Sequence, residues 1–331
     1  MKLSDVGEKK LVEYILSRIG IPEGLVLGTG DDAVAFNFHG TLVASVDMLV
    51  ASTDVPPGMS MKQAGKKAVT MNVSDLASKG ATPKFFLISL GLPADMPLED
   101  FRQLWEGLEE ASRFYGGRIA GGDTNACRDI VVDCIGLGQS DKPLSRSGAK
   151  PGDILAVTGR FGRTAAGLRM LLENMEDPLK PELVQAALEP RARLQEGMAL
   201  ARSGAATACI DSSDGLAISL HELSALSHVG FHVSSPPVDE LSRDFAQRNR
   251  LPLMDLVFHG GEEYELVATV TPDLWEAARR AVNFVGGELT PVGRATEPQE
   301  GIKVIWQETL VSLPRRGWNH FSRKGKSPLI G

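Results

Sequence analysis

Aspartate and glycine stand next to each other at several widely separated points of this sequence. Gly30-Asp31-Asp32, Gly121-Gly122-Asp123 and Asp214-Gly215 are three such places, and Asp47 and Asp75 lie beside apolar residues. Glycine beside a carboxylate lets the backbone and a ligand approach each other closely. Hard divalent cations such as Mg²⁺ take oxygen ligands and use few protein carboxylates each. Several ions bridging phosphate groups would need about this many acids, so the set favours a site for magnesium and phosphate.

Each of these aspartates also has an ordinary structural explanation. Asp and Gly form turns, and Asp at the start of a helix accepts hydrogen bonds from the first unpaired amides. Asp214 is the clearest case, because it precedes a helix that we expect to begin at Leu216. The prediction therefore rests on the whole series of acids and not on any one of them.

The common phosphate-binding motifs are missing from the chain. No GxxxxGK[ST] loop occurs, Ala33 stands where a dinucleotide fingerprint begun at Gly28 needs glycine, and the protein-kinase signatures are absent. Phosphates would then be held by metal ions and by a few basic residues. Arg146, Lys150 and Lys62 are the candidate cations, and Arg146 is favoured because it lies in a loop of small residues beside Ser145 and Ser147.

Two hydrolase interpretations are weak. His221-Glu222 would suit a zinc-protease helix, but Ala225 stands where the second histidine is required. Ser212 and Ser213 lie in a DSSDG segment, which is not the GxSxG turn that carries a nucleophilic serine. Near the end of the chain, Trp318 either packs a terminal segment or stacks on a ligand, and both interpretations stay open.

The composition is that of a globular protein with two domains. A chain of 331 residues is longer than a typical single core supports. The net charge of −7 disfavours nonspecific binding to nucleic acid or to an anionic membrane. Three cysteines without a CxxC pair predict reduced thiols, and no apolar run is long enough for a membrane span. Because the first residues are charged and polar, unlike a signal peptide, we expect a cytoplasmic protein.

Strand and helix patterns alternate along the chain, which predicts an α/β fold with α+β layers. Residues 141–153 combine Pro, Ser, Gly and basic residues, and predict the boundary between the two domains. Helices are expected from apolar residues at helical spacing and from terminal signals, and strands from short apolar runs. The expected helices are 4–19 (capped by Ser4), 61–79, 97–115, 164–173 and 274–285; the expected strands are 41–47, 84–92, 130–137, 154–158 and 264–270; and 208–228 is expected to form a strand, a turn and a helix.

Taken in order, these segments resemble the thiamine-monophosphate kinase family, within the superfamily of aminoimidazole ribonucleotide synthetase. The resemblance covers essentially the whole chain, and the ordered series is more specific than any single motif. The segments that carry it are Gly30-Asp31-Asp32-Ala33, Ser45-Val46-Asp47, Asn72-Val73-Ser74-Asp75-Leu76, Gly121-Gly122-Asp123-Thr124, Arg146-Ser147-Gly148-Ala149-Lys150-Pro151-Gly152-Asp153, Asp211-Ser212-Ser213-Asp214-Gly215-Leu216, Gly260-Gly261-Glu262-Glu263-Tyr264-Glu265 and Gly317-Trp318-Asn319-His320-Phe321.

The resemblance implies a two-domain protomer. Residues 1–148 would form an N-terminal domain that binds ATP and magnesium and forms the dimer, and 149–331 a C-terminal α/β domain that completes the site. In the implied homodimer, the N-terminal domains pair into a barrel-like sheet. The implied magnesium ligands are Asp31, Ser45, Asp47, Asp75, Asp123, Asp211 and Asp214; the nucleotide contacts are Gly122, Asp123, Arg146 and Ser213; and the substrate contacts are Asp54, Glu262 and Trp318.

The implied activity is direct transfer of the γ-phosphoryl group of ATP to thiamine monophosphate, which gives thiamine diphosphate in its biosynthesis. Several Mg²⁺ ions would assist, and no residue would act as nucleophile. An acceptor phosphate that is already ionised needs no strong base, which agrees with the lack of a convincing catalytic His or Lys. Three positions depart from the family pattern: Asp54 stands where the family often has a histidine, Glu263 where it has an aspartate, and Val46 where some relatives have a threonine.

Two other functions stay open at this point. Another enzyme of the superfamily would use ATP to activate an amide or carbonyl oxygen of a different substrate. A non-enzymatic protein would bind metal or nucleotide without consuming ATP. Product analysis with Mg-ATP and thiamine monophosphate distinguishes these possibilities.

Overall fold

The computed structural model describes residues 1–19, 24–27, 33–38 and 40–318. The chain separates into two compact units, and unit 1 comprises Met1–Leu76 and Ala81–Asp141. Unit 2 comprises Ala77–Gly80 and the chain from Lys142 onward. The division falls within the expected boundary segment at 141–153, while the assignment of domain roles to 1–148 and 149–331 stays a prediction.

Unit 1 contains a four-stranded sheet, a two-stranded hairpin and helices. Its elements are α1 (Leu3–Val6), α2 (Glu8–Ile19), β1 (Leu25–Leu27), β2 (Ala35–Phe36), β3 (Thr41–Val50), α3 (Ala51–Asp54), α4 (Met61–Ser78), β4 (Thr82–Leu92), α5 (Leu98–Phe114), β5 (Arg118–Ala126) and β6 (Val131–Ser140). The strand order of the sheet is β3-β6-β4-β5, so that β3 and β5 are its two edges. β4 and β5 are parallel, and the other neighbours are antiparallel.

Alternation along β3 determines which of its side chains face α4. Ser45 bonds to α4, and Asp47 and Leu49 follow at intervals of two, so all three lie on that face. Gly136 of β6 is the register partner of Ser45, and a Cβ placed there would lie 3.3 Å from the Cβ of Asn72 in α4. The missing side chain at Gly136 therefore lets α4 lie close to the sheet beside Ser45.

The hairpin of β1 and β2 covers part of the opposite face of this sheet. Phe85 and Leu137 of the sheet are buried, and Leu25 and Phe36 of the hairpin pack against them. The rings of Phe36 and Phe85 lie with their centroids 4.8 Å apart. The contact holds the chain that precedes β3 against the sheet.

Unit 2 is built on a seven-stranded sheet with helices. Its elements are β7 (Ile154–Val157), α6 (Arg163–Leu172), α7 (Lys180–Leu188), α8 (Leu194–Ser203), β8 (Ala206–Asp211), α9 (Leu216–Ser227), β9 (Gly230–Val233), α10 (Glu240–Asn249), a π-helical turn (Asp255–His259), β10 (Leu266–Val270), α11 (Trp275–Phe284), β11 (Thr290–Thr296), β12 (Ile302–Trp306) and β13 (Thr309–Ser312). The strand order is β13-β12-β9-β11-β7-β10-β8, antiparallel throughout except for β12 beside β9. Its core contains the fully buried Phe161, Phe231 and Phe258.

The predicted fold class is confirmed, and most expected elements occur within a few residues of their predicted bounds. The single helix expected at 4–19 is wrong, because the chain breaks at Gly7, whose φ is +80°, into α1 and α2. Ser4 lies inside α1 and does not cap it; the amide of Lys2 instead donates to Asp5. None of the helices in the described part of the chain is both long and apolar enough to cross a membrane.

Candidate active site

A hydrogen-bonded contact that includes the carboxylate of Asp75 joins β3 to α4 in unit 1. The hydroxyl of Ser45 lies 3.0 Å from Oδ2 of Asp75 and 3.1 Å from Oδ1 of Asn72. Asp75 and Asn72 lie on the same side of α4, because positions three apart on a helix are neighbours. The arrangement places a hydroxyl, a carboxylate and an amide oxygen together, and all are oxygen donors of the kind that Mg²⁺ prefers.

Asp47 lies on the same face of β3, two residues beyond Ser45, and is half-buried. Its register partner is Cys134 of β6. Burial raises the pKa of the Cys134 thiol, and the negative charges of Asp47 and Asp133 raise it further. The thiol therefore stays protonated beside Asp47, and the negative charge at this part of the sheet belongs to carboxylates.

Asp123 lies on the other edge of the sheet, in β5. Two strands separate β5 from β3, which puts Asp123 three strand spacings, about 14 Å, from the strand of Asp47. Gly122 must be glycine, because a Cβ there would overlap the carbonyl oxygen of Ile88 in β4. Within unit 1, the predicted ligands therefore fall into a group at β3 and α4 and a separate position on β5.

A cleft of about 620 Å³ opens beside Asp123. Its walls are mostly apolar, and they come from α2, β4, β5, β6 and α5. Its volume lies in the range of small-molecule sites, roughly 300–1,000 Å³. The lining residues include Glu8, Val12, Ile15, Leu16, Val34, Leu87, Ile88, Ser89, Trp105, Gly121, Gly122, Asp123 and Thr124.

Asp54 makes contacts that explain its burial at the end of α3. Its Oδ2 accepts a hydrogen bond of 2.7 Å from the amide of Val50, and only 8% of the residue is exposed. The buried ammonium group of Lys67 donates to the carbonyl oxygen of Asp54 at 2.7 Å. These contacts stabilise the turn between β3 and α4, and the substrate contact proposed for Asp54 stays a prediction.

Three segments with predicted roles meet in unit 2. The loop after β8 carries Ser213 and Asp214, the loop before β10 carries Glu262, and the segment after β13 carries Trp318. The amide of Glu262 donates to the carbonyl oxygen of Ser213 at 2.7 Å, and the amide of Trp318 donates to that of Asp214 at 3.1 Å. A Cβ on Gly261 would lie 3.6 Å from the Cβ of Trp318. The structure thus brings together four residues that the sequence predicted as nucleotide, metal and substrate contacts.

Asp211 is the last residue of β8 and is almost fully buried. It precedes Gly215 by four residues. Its carbonyl oxygen accepts a hydrogen bond of 3.2 Å from Ser219 in α9. The segment from Asp211 to Gly215 therefore links the end of a strand to the start of a helix, which is the strand–turn–helix unit that the sequence predicted.

The loop before β10 is held in an uncommon backbone conformation. Glu262 and Tyr264 have φ values of +65° and +53°, although neither is glycine. Between them, the carboxylate of Glu263 accepts hydrogen bonds from the amides of Gly162 and Thr164 at the start of α6. Such conformations persist only where the surroundings hold them, and they occur often at functional sites.

Arg146 lies in a loop that runs beside β8. The carbonyl oxygen of Ser145 accepts a hydrogen bond of 2.8 Å from the amide of Cys209, and Ser227 of α9 donates to the carbonyl oxygen of Arg146 at 3.3 Å. Within the part of the chain that the structure describes, no side chain bonds to the guanidinium group of Arg146. The cation is therefore held in place through its backbone.

Asp31 and the residues after Trp318 lie outside the described residues. Among residues 1–19, 24–27, 33–38 and 40–318, no three His, Cys, Asp or Glu side chains form a group that could hold a metal ion. The donors that are present in pairs, such as Ser45 with Asp75, are oxygen ligands and fit magnesium chemically. The complete set of magnesium ligands stays a prediction.

Comparison with known proteins gives the same assignment to both parts of the chain. A family model of the N-terminal domain of AIR synthase related proteins matches residues 30–140, and one of their C-terminal domain matches 150–305. The thiamine-monophosphate kinase of Pyrococcus horikoshii is 36% identical over 315 residues, which cover 94% of this chain and 96% of that protein. The chain belongs to the thiamine-monophosphate kinase family. The family expected from the sequence motifs is confirmed.

Solved structures share the fold of this family member. AaThiL complexed with AMPPCP and TMP is 28% identical, with a TM-score of 0.76 over 97% of this chain and 99% of that one. The hydrogenase maturation protein HypE in complex with ATP is 21% identical, with a TM-score of 0.77 over 95% of this chain and 99% of that one. The likeness to HypE concerns the fold alone.

Two features of the site were missed by the sequence interpretation. The helix predicted at 97–115 contains Trp105, which lines the cleft beside Asp123, and only the packing of α5 against β5 reveals this. For Glu263, the sequence indicates only a departure from the family pattern. Its position directly after Glu262, in a segment that also contains Glu265, could have indicated a residue with its own partners.

Proposed function

We propose that this chain transfers the γ-phosphoryl group of ATP to the phosphate of thiamine monophosphate, forming thiamine diphosphate and ADP. The observation that carries the proposal is the meeting of Asp214, Glu262 and Trp318 in unit 2, in a chain of the thiamine-monophosphate kinase family. A carboxylate and an indole ring suit the cationic aromatic thiazolium of the acceptor. The related AaThiL structure supports the proposal, because it holds AMPPCP, a nucleotide, together with a second ligand, TMP.

The proposed magnesium ligands belong to both units. Ser45 and Asp75 support the assignment most directly, since their contact places two oxygen donors 3.0 Å apart. Mg²⁺ is usually held by one or two carboxylates together with substrate phosphates and water, so a pair of donors is a suitable protein contribution. When bound, Mg²⁺ neutralises the charge of the phosphate oxygens. The full proposed set is Asp31, Ser45, Asp47, Asp75, Asp123, Asp211 and Asp214.

The cleft beside Asp123 is the proposed site of the adenine base. Gly122 and Asp123, which the sequence predicted as nucleotide contacts, line it together with apolar side chains of α2. Trp105 also lines the cleft, and an aromatic ring is a suitable surface for a planar purine base.

The chain's own residues would act by binding and orienting the two substrates. Arg146 and Ser213 would contact the nucleotide, and Glu262 and Trp318 would hold the acceptor. The acceptor phosphate is ionised at neutral pH, so the reaction needs no side chain as nucleophile or strong base. Positioning and electrostatic stabilisation then supply the acceleration.

A homodimer is part of the proposal, and the edge strand β3 supports it. Its face away from α4 carries Leu42, Val46 and Met48, which are 48%, 61% and 54% exposed. An exposed apolar edge strand is a site for pairing with another chain. Sedimentation of the wild type and of Val46→Glu should show a dimer and a shift toward monomer, respectively.

We also place the enzyme in the cytoplasm. Cys127, Cys134 and Cys209 are all free thiols, as in proteins of reducing compartments. Burial raises the pKa of Cys209 to about 12, so this thiol stays protonated and unreactive. ATP, the proposed donor, is a cytoplasmic metabolite.

The decisive experiment is incubation with Mg-ATP and thiamine monophosphate, followed by chromatography of the products. Thiamine diphosphate and ADP should form in equal amounts, and EDTA should abolish both. ATP consumption without thiamine diphosphate would favour another synthetase of the superfamily. Binding of Mg-ATP without any ADP would favour a non-enzymatic role.

A further inference from the structure

The loop that carries Glu262 is held from two sides. On one side, the amide of Glu262 donates to Ser213 O at 2.7 Å and the amide of Tyr264 donates to Ser212 O at 3.0 Å. These backbone bonds tie the loop to the segment after β8. Both residues have positive φ, which is rare for residues with a side chain. The conformation therefore needs a second anchor that keeps the residue between them in place.

The second anchor is the carboxylate of Glu263. Its Oε1 accepts from the amide of Gly162 at 2.7 Å and from the amide of Thr164 at 3.2 Å. Its Oε2 accepts from the hydroxyl of Thr164 at 3.0 Å. The first amides of a helix have no partner within the helix. Gly162, the cap residue of α6, has φ of +109° and no side chain that could serve them, so Glu263 caps α6 from another segment.

We infer that Glu263 is a positioning residue for the acceptor substrate: its bonds to the start of α6 hold the loop so that Glu262 meets the acceptor. The inference rests on the proposed function for the identity of the acceptor. Glu263 does not itself touch the substrate in this assignment. Its effect passes through the backbone of Glu262, one residue away.

The charged groups around Glu263 leave it without a counterion. Glu265 lies two residues further, and its negative charge raises the pKa of Glu263. The guanidinium group of Arg193 is bonded to Glu265 at 2.5 and 2.8 Å, and that of Arg163 to Asp239 at 2.7 and 3.0 Å. In the described part of unit 2, no cation pairs with Glu263, and hydrogen bonds alone hold it.

Both protonation states of Glu263 can make the same contacts. Loss of hydration raises the pKa of Glu263 to about 7, so both forms are populated near neutral pH. The charged form accepts all the bonds, whereas the neutral form keeps Oε1 as acceptor and donates from Oε2 to the hydroxyl of Thr164. Glutamine has the same shape and the same donor and acceptor pattern as the neutral form. Glu263→Gln is therefore the conservative variant, and Glu263→Ala removes the anchor.

The test compares steady-state kinetics of these two variants with the wild type at pH 7. Glu263→Ala should raise the KM for thiamine monophosphate by roughly tenfold or more, the loss expected for hydrogen bonds to a desolvated carboxyl group. The KM for ATP should change by less than about twofold, because the effect passes through Glu262. Glu263→Gln should restore the KM for thiamine monophosphate to near the wild-type value. An unchanged KM in Glu263→Ala, or equal changes for both substrates, would overturn the inference.

A milder pair of variants covers the case in which Glu263→Ala does not fold. Thr164→Val removes the hydroxyl donor and keeps both amide donors, so we expect the KM for thiamine monophosphate to rise by about threefold. Thr290→Val is the matched control, because Thr290 also donates to a glutamate, Glu288, at 2.8 Å but in an exposed contact. Equal kinetics in the two threonine variants would argue against the anchor.

Hydrogen exchange separates failure of the inference from failure of the proposed function. If the wild type does not phosphorylate thiamine monophosphate, the proposed function is wrong, but the anchor can still be measured. The amides of Glu262 and Tyr264 should exchange faster in Glu263→Ala than in Glu263→Gln, while those of β10 stay protected. Equal exchange in both variants would show that Glu263 does not hold the loop.

Discussion

The hydroxyl of Ser45 lies 3.0 Å from Oδ2 of Asp75, and this contact joins the edge strand β3 to helix α4. The same hydroxyl lies 3.1 Å from Oδ1 of Asn72. A serine hydroxyl has a single proton to donate, so at any moment it satisfies one of the two oxygens. An ionised carboxylate has about four lone-pair sites, so Asp75 can accept from Ser45 and also coordinate a cation.

Asp75→Asn should lower kcat for thiamine diphosphate formation by about a hundredfold or more, the loss typical of a major electrostatic donor. The amide keeps the size of the carboxylate and can still accept from Ser45, so the fold should be retained. The measurement is product formation under saturating substrates, with circular dichroism to verify folding. Raising the Mg²⁺ concentration should recover part of the lost rate if the residue acts through the metal.

Asp95→Asn is the control for that substitution, since Asp95 is an exposed acid of the same unit. It removes the same charge and should leave kcat within about twofold, because screening by water and salt weakens distant surface charges. Near-normal activity of Asp75→Asn, or an equal loss in both variants, would contradict a magnesium role for Asp75.

The fold class was predictable because apolar periodicity reports directly on which face of an element is buried. α5, for example, was expected at 97–115 and occurs at Leu98–Phe114. The sequence does not predict β5, since Gly121-Gly122-Asp123 resembles a turn; only the close approach of Gly122 to β4 explains why the strand needs a glycine there. The break at Gly7 likewise depends on a positive φ that the sequence alone does not reveal.

The site residues could be predicted from motifs and their order along the chain. The distances between them could not, because the fold determines those distances. Ser213, Asp214, Glu262 and Trp318 were named from motifs, and backbone hydrogen bonds bring their segments together. The separation of Asp123 from β3 follows from the strand order, which the motifs do not encode. The hydrogen bond from Val50 to Asp54 is equally invisible in a motif, because it depends on where α3 ends.

Trp318→Ala should raise the KM for thiamine monophosphate by about three- to tenfold, the loss expected when a ring stacked on a cationic aromatic group is removed. The KM for ATP should stay close to the wild-type value. Trp318→Phe retains an aromatic face and should recover most of the affinity. If Trp318 only packs the end of the chain, Trp318→Ala should lower the melting temperature and leave both KM values unchanged.

Arg193→Met should lower the free energy of unfolding by about 3 kcal/mol, because it leaves the carboxylate of Glu265 buried without its cation. Arg193 bonds to both oxygens of Glu265, whose side chain is only 7% exposed. Arg243→Met is the matched control, since its partner Glu240 is 67% exposed, and it should cost less than about 1 kcal/mol. Chemical denaturation of both variants measures the difference, and equal costs would contradict a stabilising role for the Arg193–Glu265 pair.

Glu263 should make the stability of the protein depend on pH between about 4.5 and 7. Its pKa is raised from 4.5 to about 7 in the folded chain, mainly by loss of hydration, so in this range the folded state binds a proton that the unfolded state has released. The contribution of this group is fully present below about pH 4.5 and is lost as the pH rises through about 7. A shift of this size corresponds to about 3 kcal/mol or slightly more over the whole titration, of which about 2–3 kcal/mol falls between pH 5 and pH 8. Glu263→Gln cannot titrate, so its unfolding free energy minus that of the wild type should grow by this amount between pH 5 and pH 8. Urea titrations of both proteins at pH 5, 6, 7 and 8 measure that difference, and a constant difference would show that the pKa of Glu263 is not raised.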